Sequence, residues 1–275
     1  SARASTQSSR RCSARAPNSG SRCCPAIDKL VEFQAKLARL TALPHDPPSS
    51  LRRPLSGQKH IAWTRPLPLE PLLAAAHAHH HATLTDLVIA GVTEAVEDEE
   101  RRATGQPLHA VRALVPVFVH GGDHRSANRF GLVFLPLPTG SRPLAERVAF
   151  TRTALKALKD SADTEVAMLV LGGMGLVPNL FERAAVAIFT GKASLLMTSV
   201  PGPRGDVRLH GHRLSGIVVS APVGGTIGVS VSMLSHGAAL RVSVASDRAL
   251  PVDPARIAAH LEALLEQLAT SPTAG

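Results

Sequence analysis

Aromatic side chains are nearly missing from this chain, which has no tyrosine, one tryptophan (Trp63) and an aromatic content of 3%. Proteins that grip single-stranded nucleic acid stack its bases on aromatic faces, so that class has little to stand on. Cysteine is confined to Cys12, Cys23 and Cys24. Neither a disulfide framework nor a thiolate metal site can therefore support the remainder, and a reducing, cytoplasmic setting fits. Negative charge is absent from residues 1–27, which hold five arginines and no Asp or Glu. They take most of the net charge of +9 and leave +4 on the other 248 residues, too little to argue for a nucleic-acid partner. A long hydrophobic run is also lacking. Val166 to Phe181 comes nearest, but Gly172, Gly173, Gly175, Pro178 and Asn179 interrupt it, and Glu182 and Arg183 close it. It reads as a buried or lipid-touching segment and not as a membrane span.

What is present is a globular composition with 44% hydrophobic residues. Residues 1–28 are Ser, Arg and Cys with few large apolar side chains and are expected to be disordered. They share the Ser/Arg bias of a transit peptide without its amphipathic pattern, and a displaced start site or reading frame accounts for them equally well. Residues 29–57 form a short helix and a Pro-rich linker, with Leu30, Phe33, Leu37 and Leu40 at helical spacing and a Pro/Ser stretch from His45 to Gly57. Residues 58–270 make one domain, and 271–275 are a tail.

Within that domain the pattern predicts a strand at 60–65 and a helix at 69–78. A second helix starts at Thr83, where Asp86 completes a capping box, and ends in a solvated charge run from Glu97 to Arg102. Strands follow at 111–119 and 130–137. Pro143 occupies the first position of a helix running to Lys159, with Leu144, Val148, Leu155 and Leu158 inward. Ile227, Val229, Val231 and Met233 alternate with small residues, as do Leu240, Val242 and Val244, and Ser235-His236-Gly237 joins the two runs as a hairpin. Asp253-Pro254 opens a closing helix with Ile257, Leu261, Leu264, Leu265 and Leu268 on one stripe. Helices mixed with paired strands imply an α/β domain with a mixed sheet.

One corner stands out. The apolar run Ser194-Leu-Leu-Met-Thr-Ser-Val200 is delivered into Pro201-Gly-Pro203. The two prolines fix φ and remove two backbone donors, so an ordinary ladder is not expected to continue there. Gly202 between them permits close backbone approach or a positive φ. On these residues alone a plain edge turn is the favoured reading of the corner. The histidines His77, His79, His80 and His81 invite a metal reading. Three of them are consecutive and cannot converge from one face of a regular element, so a solvated helix end is expected and no metal.

Several segments in sequence order resemble motifs of the bacterial wax ester synthase/diacylglycerol acyltransferase family. Pro54-Leu-Ser-Gly57 and Arg65-Pro-Leu-Pro-Leu69 are similar to its linker and following helix. Thr83-Leu-Thr-Asp-Leu-Val-Ile-Ala90 resembles its Thr-x-Asn-Asp-x-Val-x-Ala helix start, with Thr85 in place of Asn. Arg112-Ala-Leu-Val-Pro-Val117 resembles a family strand, and Asn128-Arg-Phe-Gly131 resembles its Asn-x-x-Gly strand entry. The corner resembles Asn-Val-Pro-Gly-Pro, with Ser199 in place of Asn. The family's His-His-x-x-x-Asp-Gly motif, whose second His is the general base, is not found. From His79-His80 its Asp position falls on Leu84, and from His80-His81 on Thr85.

The resemblance covers about residues 30–270 and implies the linker plus C-terminal half of a fold like chloramphenicol acetyltransferase, a CoA-dependent acyltransferase fold with a tunnel between two related halves. It implies transfer of a fatty acyl group from acyl-CoA, as cosubstrate and not bound cofactor, to diacylglycerol or a long-chain alcohol. It further implies a separate N-terminal half, no activity from this chain alone, and room for peripheral contact with membrane or lipid inclusions. Carried over by position, Thr85, Asn128, Gly131, Ser199, Pro201, Gly202 and Pro203 are tunnel-lining candidates, and Asp86, beside its capping role, is a supporting candidate. A local base such as His120, His124 or His236 is an alternative, each reading more simply as a turn residue. A second reading is a non-catalytic acyl-chain or lipid-binding module or partner subunit.

Overall fold

The computed structural model describes residues 34–35, 38, 42–118, 130–160, 186–187, 189–203 and 205–270. Four helices and nine strands are arranged in the order β1 (Lys59–Trp63), β2 (Leu67–Pro68), α1 (Leu69–Ala78), α2 (Leu84–Thr104), β3 (Arg112–Phe118), β4 (Phe130–Pro136), α3 (Leu144–Asp160), β5 (Leu195–Pro201), β6 (Arg208–Leu209), β7 (His212–Arg213), β8 (Val229–His236), β9 (Ala239–Asp247) and α4 (Pro254–Thr270) among the described residues. The main sheet runs β1-β9-β8-β5-β3-β4, with β2 added along β9. β5 is parallel to both β3 and β8, and the other pairings are antiparallel, so the sheet is mixed.

Period-two alternation sorts the strand residues by face. Val229, Val231, Met233, Val242, Val244, Leu195, Met197, Ala113, Val115, Val133 and Leu135 belong to the large core shared with the helices. Leu114 and Phe134 turn the other way, into a smaller cluster with Ala193 and Ile227. The serines between the valines of β8 and β9 do not meet solvent. Ser230 donates to the Ala221 carbonyl, Ser232 accepts from the Ala221 amide, and Ser243 donates to the Val219 carbonyl, so a loop is fastened over that face.

α2 is buried along most of its length and is capped as its sequence predicts, with Thr83 and Asp86 forming both halves of the box. It crosses α4 at Gly91, where a Cβ would stand 2.9 Å from Leu264 Cδ2 and 3.2 Å from Leu261 Cδ2. The expected solvated end of α2 holds for Asp98, Arg101 and Arg102, which are exposed, and fails for the three glutamates. Glu97, Glu99 and Glu100 are buried. Glu97 pairs with Arg147 Nη2 at 2.6 Å, Glu99 with Arg102, and Glu100 with Ser50. The apolar stripe of α2 continues at helical spacing through Val92 and Val96 to these carboxylates, and each is satisfied by a neighbour from another element or turn.

The Pro/Ser stretch before β1 lies along the domain as a strap. Asp46 accepts from the Arg112 amide (2.8 Å), the Arg112 guanidinium (2.8 Å) and the Ser194 hydroxyl (2.7 Å), tying the starts of β3 and β5 together. Leu51 is fully buried. Downstream, the Ser56 amide and hydroxyl, the Gly57 amide and Lys59 Nζ all converge on Asp247. Burial by itself would raise that carboxyl, but the hydrogen bonds from Ser56, the Ala249 amide and Lys59 outweigh it and hold it well below the carboxylate range.

Smaller departures are local. The helix predicted from Pro143 begins at Leu144, with the Arg147 amide donating to the Pro143 carbonyl. The hairpin turn is Gly237-Ala238, one residue beyond expectation, because β8 extends through His236. The apolar positions of the first predicted helix (Leu30, Phe33, Leu37 and Leu40), the 166–181 run, His120, His124 and Asn128 lie outside the described residues.

Candidate functional site

The site follows from how β5 leaves the sheet. β3 pairs with β5 only at Ala113–Leu195 and Leu114–Leu196, whereas β8 pairs with β5 along its whole length to Pro201–Ser235. From Met197 onward β5 therefore keeps one neighbour, and a fork opens between it and the Val115–Phe118 end of β3. This explains why the ladder survives as far as Pro201, contrary to the expectation from sequence. Once β3 has departed, β5 is an edge on that side, and an edge tolerates a missing N–H.

Ser199 stands on the helix-facing side of β5, in step with Leu195 and Met197. The start of α2 reaches it, since Thr85 Oγ1 lies 3.4 Å from Ser199 Oγ, a hydroxyl contact longer than an ordinary O–H···O bond. The two hydroxyl residues that stand where the resembled motifs have Asn thus meet each other between α2 and β5, beside the fork. Val200, on the opposite face, is 37% exposed.

Asp86 sits one residue further into α2 and is buried. Its Oδ2 accepts from the Thr83 amide and hydroxyl, both at 2.8 Å, and Arg152 Nη1 is 4.0 Å away. These contacts describe a carboxylate engaged in capping, next to the fork and not pointing through it.

At the end of β5 the corner presses against the β8–β9 hairpin. A Cβ on Gly202 would lie 2.1 Å from the Ser235 carbonyl oxygen and 3.1 Å from Leu234 Cδ2. Of the two roles open to this glycine, close approach is the one the backbone requires. The Gly237 amide donates to the Pro203 carbonyl at 3.3 Å, and the corner is closed from both sides. Gly131 is buried on β4 opposite Val117, one strand beyond the fork.

The structure therefore brings Thr85 and Ser199 together, sets Asp86 behind them and Pro201–Pro203 beside them, and keeps Gly131 apart. The histidines behave as a helix end: His81 Nδ1 and His77 Nε2 are 3.0 Å apart, and His80 and His81 take positive φ. Among the described residues no group of three or more His, Cys, Asp or Glu is arranged for a metal ion. No described helix is long and apolar enough to cross a membrane. Nε2 of His236, beside the corner, is buried without a hydrogen-bond partner, and no local pattern in the sequence marks it.

Comparison with known proteins agrees with this architecture. Residues 126–269 match the WS/DGAT C-terminal domain. A probable diacylglycerol O-acyltransferase of Mycobacterium tuberculosis H37Rv, tgs1, is 22% identical over 235 residues, which are 80% of this chain and 49% of that protein. The chain thus spans about half the length of the curated relatives it matches. The solved wax ester synthase/diacylglycerol acyltransferase of Marinobacter aquaeolei VT8 superposes with a TM-score of 0.61 at 18% identity, over 90% of this chain and 57% of that one. The first condensation domain of the CDA synthetase follows at 0.54 and 20% identity, over 90% and 52%. At such identities the superpositions establish the fold, an α/β half of the acyltransferase and condensation-domain architecture. Through the domain matched at residues 126–269, the chain belongs to the wax ester synthase/diacylglycerol acyltransferase family.

Proposed function

We propose that this chain forms the C-terminal wall of an acyl-transfer site that moves a fatty acyl group from acyl-CoA to diacylglycerol or a long-chain alcohol. The observation that supports this most directly is the fork between β3 and β5, with Thr85 and Ser199 in contact on one side and the Gly202 corner seated on the hairpin. It offers a cleft whose walls are fixed by packing, at the positions that resemble the family's motifs.

In this reading the general base is the second His of His-His-x-x-x-Asp-Gly, supplied by an N-terminal half. It takes the hydroxyl proton as the alcohol oxygen bonds to the thioester carbonyl carbon. The C–S bond then breaks, and coenzyme A leaves as the thiol with that proton. The carbonyl oxygen gains negative charge during addition, and the Ser199 hydroxyl or a backbone amide near the corner is the candidate donor. Both substrates carry long hydrocarbon chains, so peripheral contact with a membrane or lipid inclusion accompanies the proposal.

The test is acyl transfer from radiolabelled palmitoyl-CoA to dioleoylglycerol or hexadecanol. Purified chain alone is expected to form no ester, and the same chain mixed with a family N-terminal half bearing the histidine motif is expected to form it. Robust turnover by the chain alone would overturn the half-site reading. Saturable palmitoyl-CoA binding, with no ester formed in the mixture, would favour the non-catalytic acyl-binding module.

A further inference from the structure

The end of α2 remote from the fork borders a cavity of about 430 Å³. Ser49, Arg52 and Arg53 of the strap, Thr104 at the last turn of α2, and Gln106 and His109 of the following loop line it. Thr104 stands about 28 Å along the helix from Thr85 at 1.5 Å per residue, so this cavity is separate from the fork.

The strap is rigid where it forms the wall. The Arg52 amide donates to the Ser49 carbonyl at 3.1 Å, Leu51 is fully buried, and the Ser50 amide donates to Glu100 Oε2 at 2.9 Å. Around this pinned turn Arg53, Gln106 and His109 are exposed and carry donors that no group among the described residues engages. Ser49 Oγ is buried with no hydrogen-bond partner. The wall's carboxylate, Glu100, is already engaged by the amide and hydroxyl of Ser50.

The local charge is positive. Arg52 is turned to the carbonyls of Gly191 and Ala193, and burial, joined by repulsion from Arg112 and opposed by Asp46, holds its guanidinium below the usual value. Glu100 contributes one negative charge and the C-terminus of α2 about half of one, so the two guanidiniums leave only a small positive excess, about half a charge.

We propose that this cavity binds a phosphate group. A tetrahedral oxyanion has acceptors in several directions and suits donors that converge from the strap and from the loop after α2. A neutral alcohol or amide would leave Arg53 unmatched and would use few of these donors. The same chemistry is offered by a free phosphate and by the phosphomonoester of a nucleotide. The site does not depend on the acyl-transfer reading.

Isothermal titration of the full chain at constant ionic strength, with inorganic phosphate, coenzyme A and 3′-dephospho-coenzyme A as probes, tests it. Saturable binding of phosphate or coenzyme A is expected. Arg53→Gln should weaken it by about tenfold or more with unchanged melting, as loss of a charge-assisted hydrogen bond at an exposed residue requires. Coenzyme A binding more tightly than its dephospho form would identify the nucleotide source, and phosphate alone accounting for the affinity would identify the free anion. If no probe saturates, or if Arg53→Gln binds like the parent, the proposal is wrong.

Discussion

Gly202→Ala is the sharpest perturbation of the candidate site. The new methyl carbon would lie 2.1 Å from the Ser235 carbonyl oxygen, where ordinary contact begins at 3.4 Å. The corner or the hairpin must therefore shift by about 1 Å, and neither can do so freely. Pro201 and Pro203 restrict the backbone on one side, and the β8–β9 ladder fixes Ser235 opposite Leu240 on the other. Overpacking of this kind costs about 1–3 kcal/mol, and loss of the bond from the Gly237 amide to the Pro203 carbonyl adds about 1 kcal/mol. Gly205 supplies the control. It follows the same corner, yet an added Cβ there meets nothing within 4 Å. Gly205→Ala should be neutral, or stabilising by about 0.5 kcal/mol through the unfolded chain. Urea denaturation followed by circular dichroism would measure both variants. If Gly202→Ala unfolds within about 0.5 kcal/mol of Gly205→Ala, the close approach described here is not a constraint, and the corner is an ordinary edge turn.

Two further outcomes follow from the buried charges. Arg147→Met leaves Glu97 buried with only the Gly140 amide and strips donors from the carbonyls of Pro138, Gly140 and Arg142, so a loss of about 3–5 kcal/mol is expected in thermal unfolding. Glu97→Leu combined with Arg147→Met should recover most but not all of that loss; a double variant as unstable as the single one would refute the account of an uncompensated carboxylate. Asp247→Asn bears on pH. The native carboxyl is held below its unfolded value of about 3.9, so its contribution is complete above that value and fades as pH falls below it. The gap in melting temperature between parent and variant should be level from pH 6 to pH 8 and shrink below about pH 4. An equal gap at pH 3 would contradict the linkage.

The sequence was most legible where one period ruled. The capping box at Thr83, the alternation of Val229, Val231 and Met233, and the stripe on α4 fall where their spacing predicts. It was least legible where a residue's environment is set by a distant segment. Glu97, Glu99 and Glu100 read as solvated because charge suggests water, although they continue the inward stripe of α2. The partners of Glu97 and Glu100, Arg147 and Ser50, lie about fifty positions away, and only Glu99 has a near one, Arg102. The fork was not readable either, since nothing in Leu195–Pro201 tells that β3 stops following after Leu196. The contact between Thr85 and Ser199 has no local signal except that both replace Asn in motifs that resemble the family's.

The strap fastens through Asp46 to Arg112 and Ser194, at the starts of β3 and β5, whereas the fork opens at their opposite ends. A seven-residue strand spans about 23 Å. Pro44 and Asp46 are thus bolted to the closed end of the sheet, so the root of the strap is fixed relative to a fork that opens about one strand's length away.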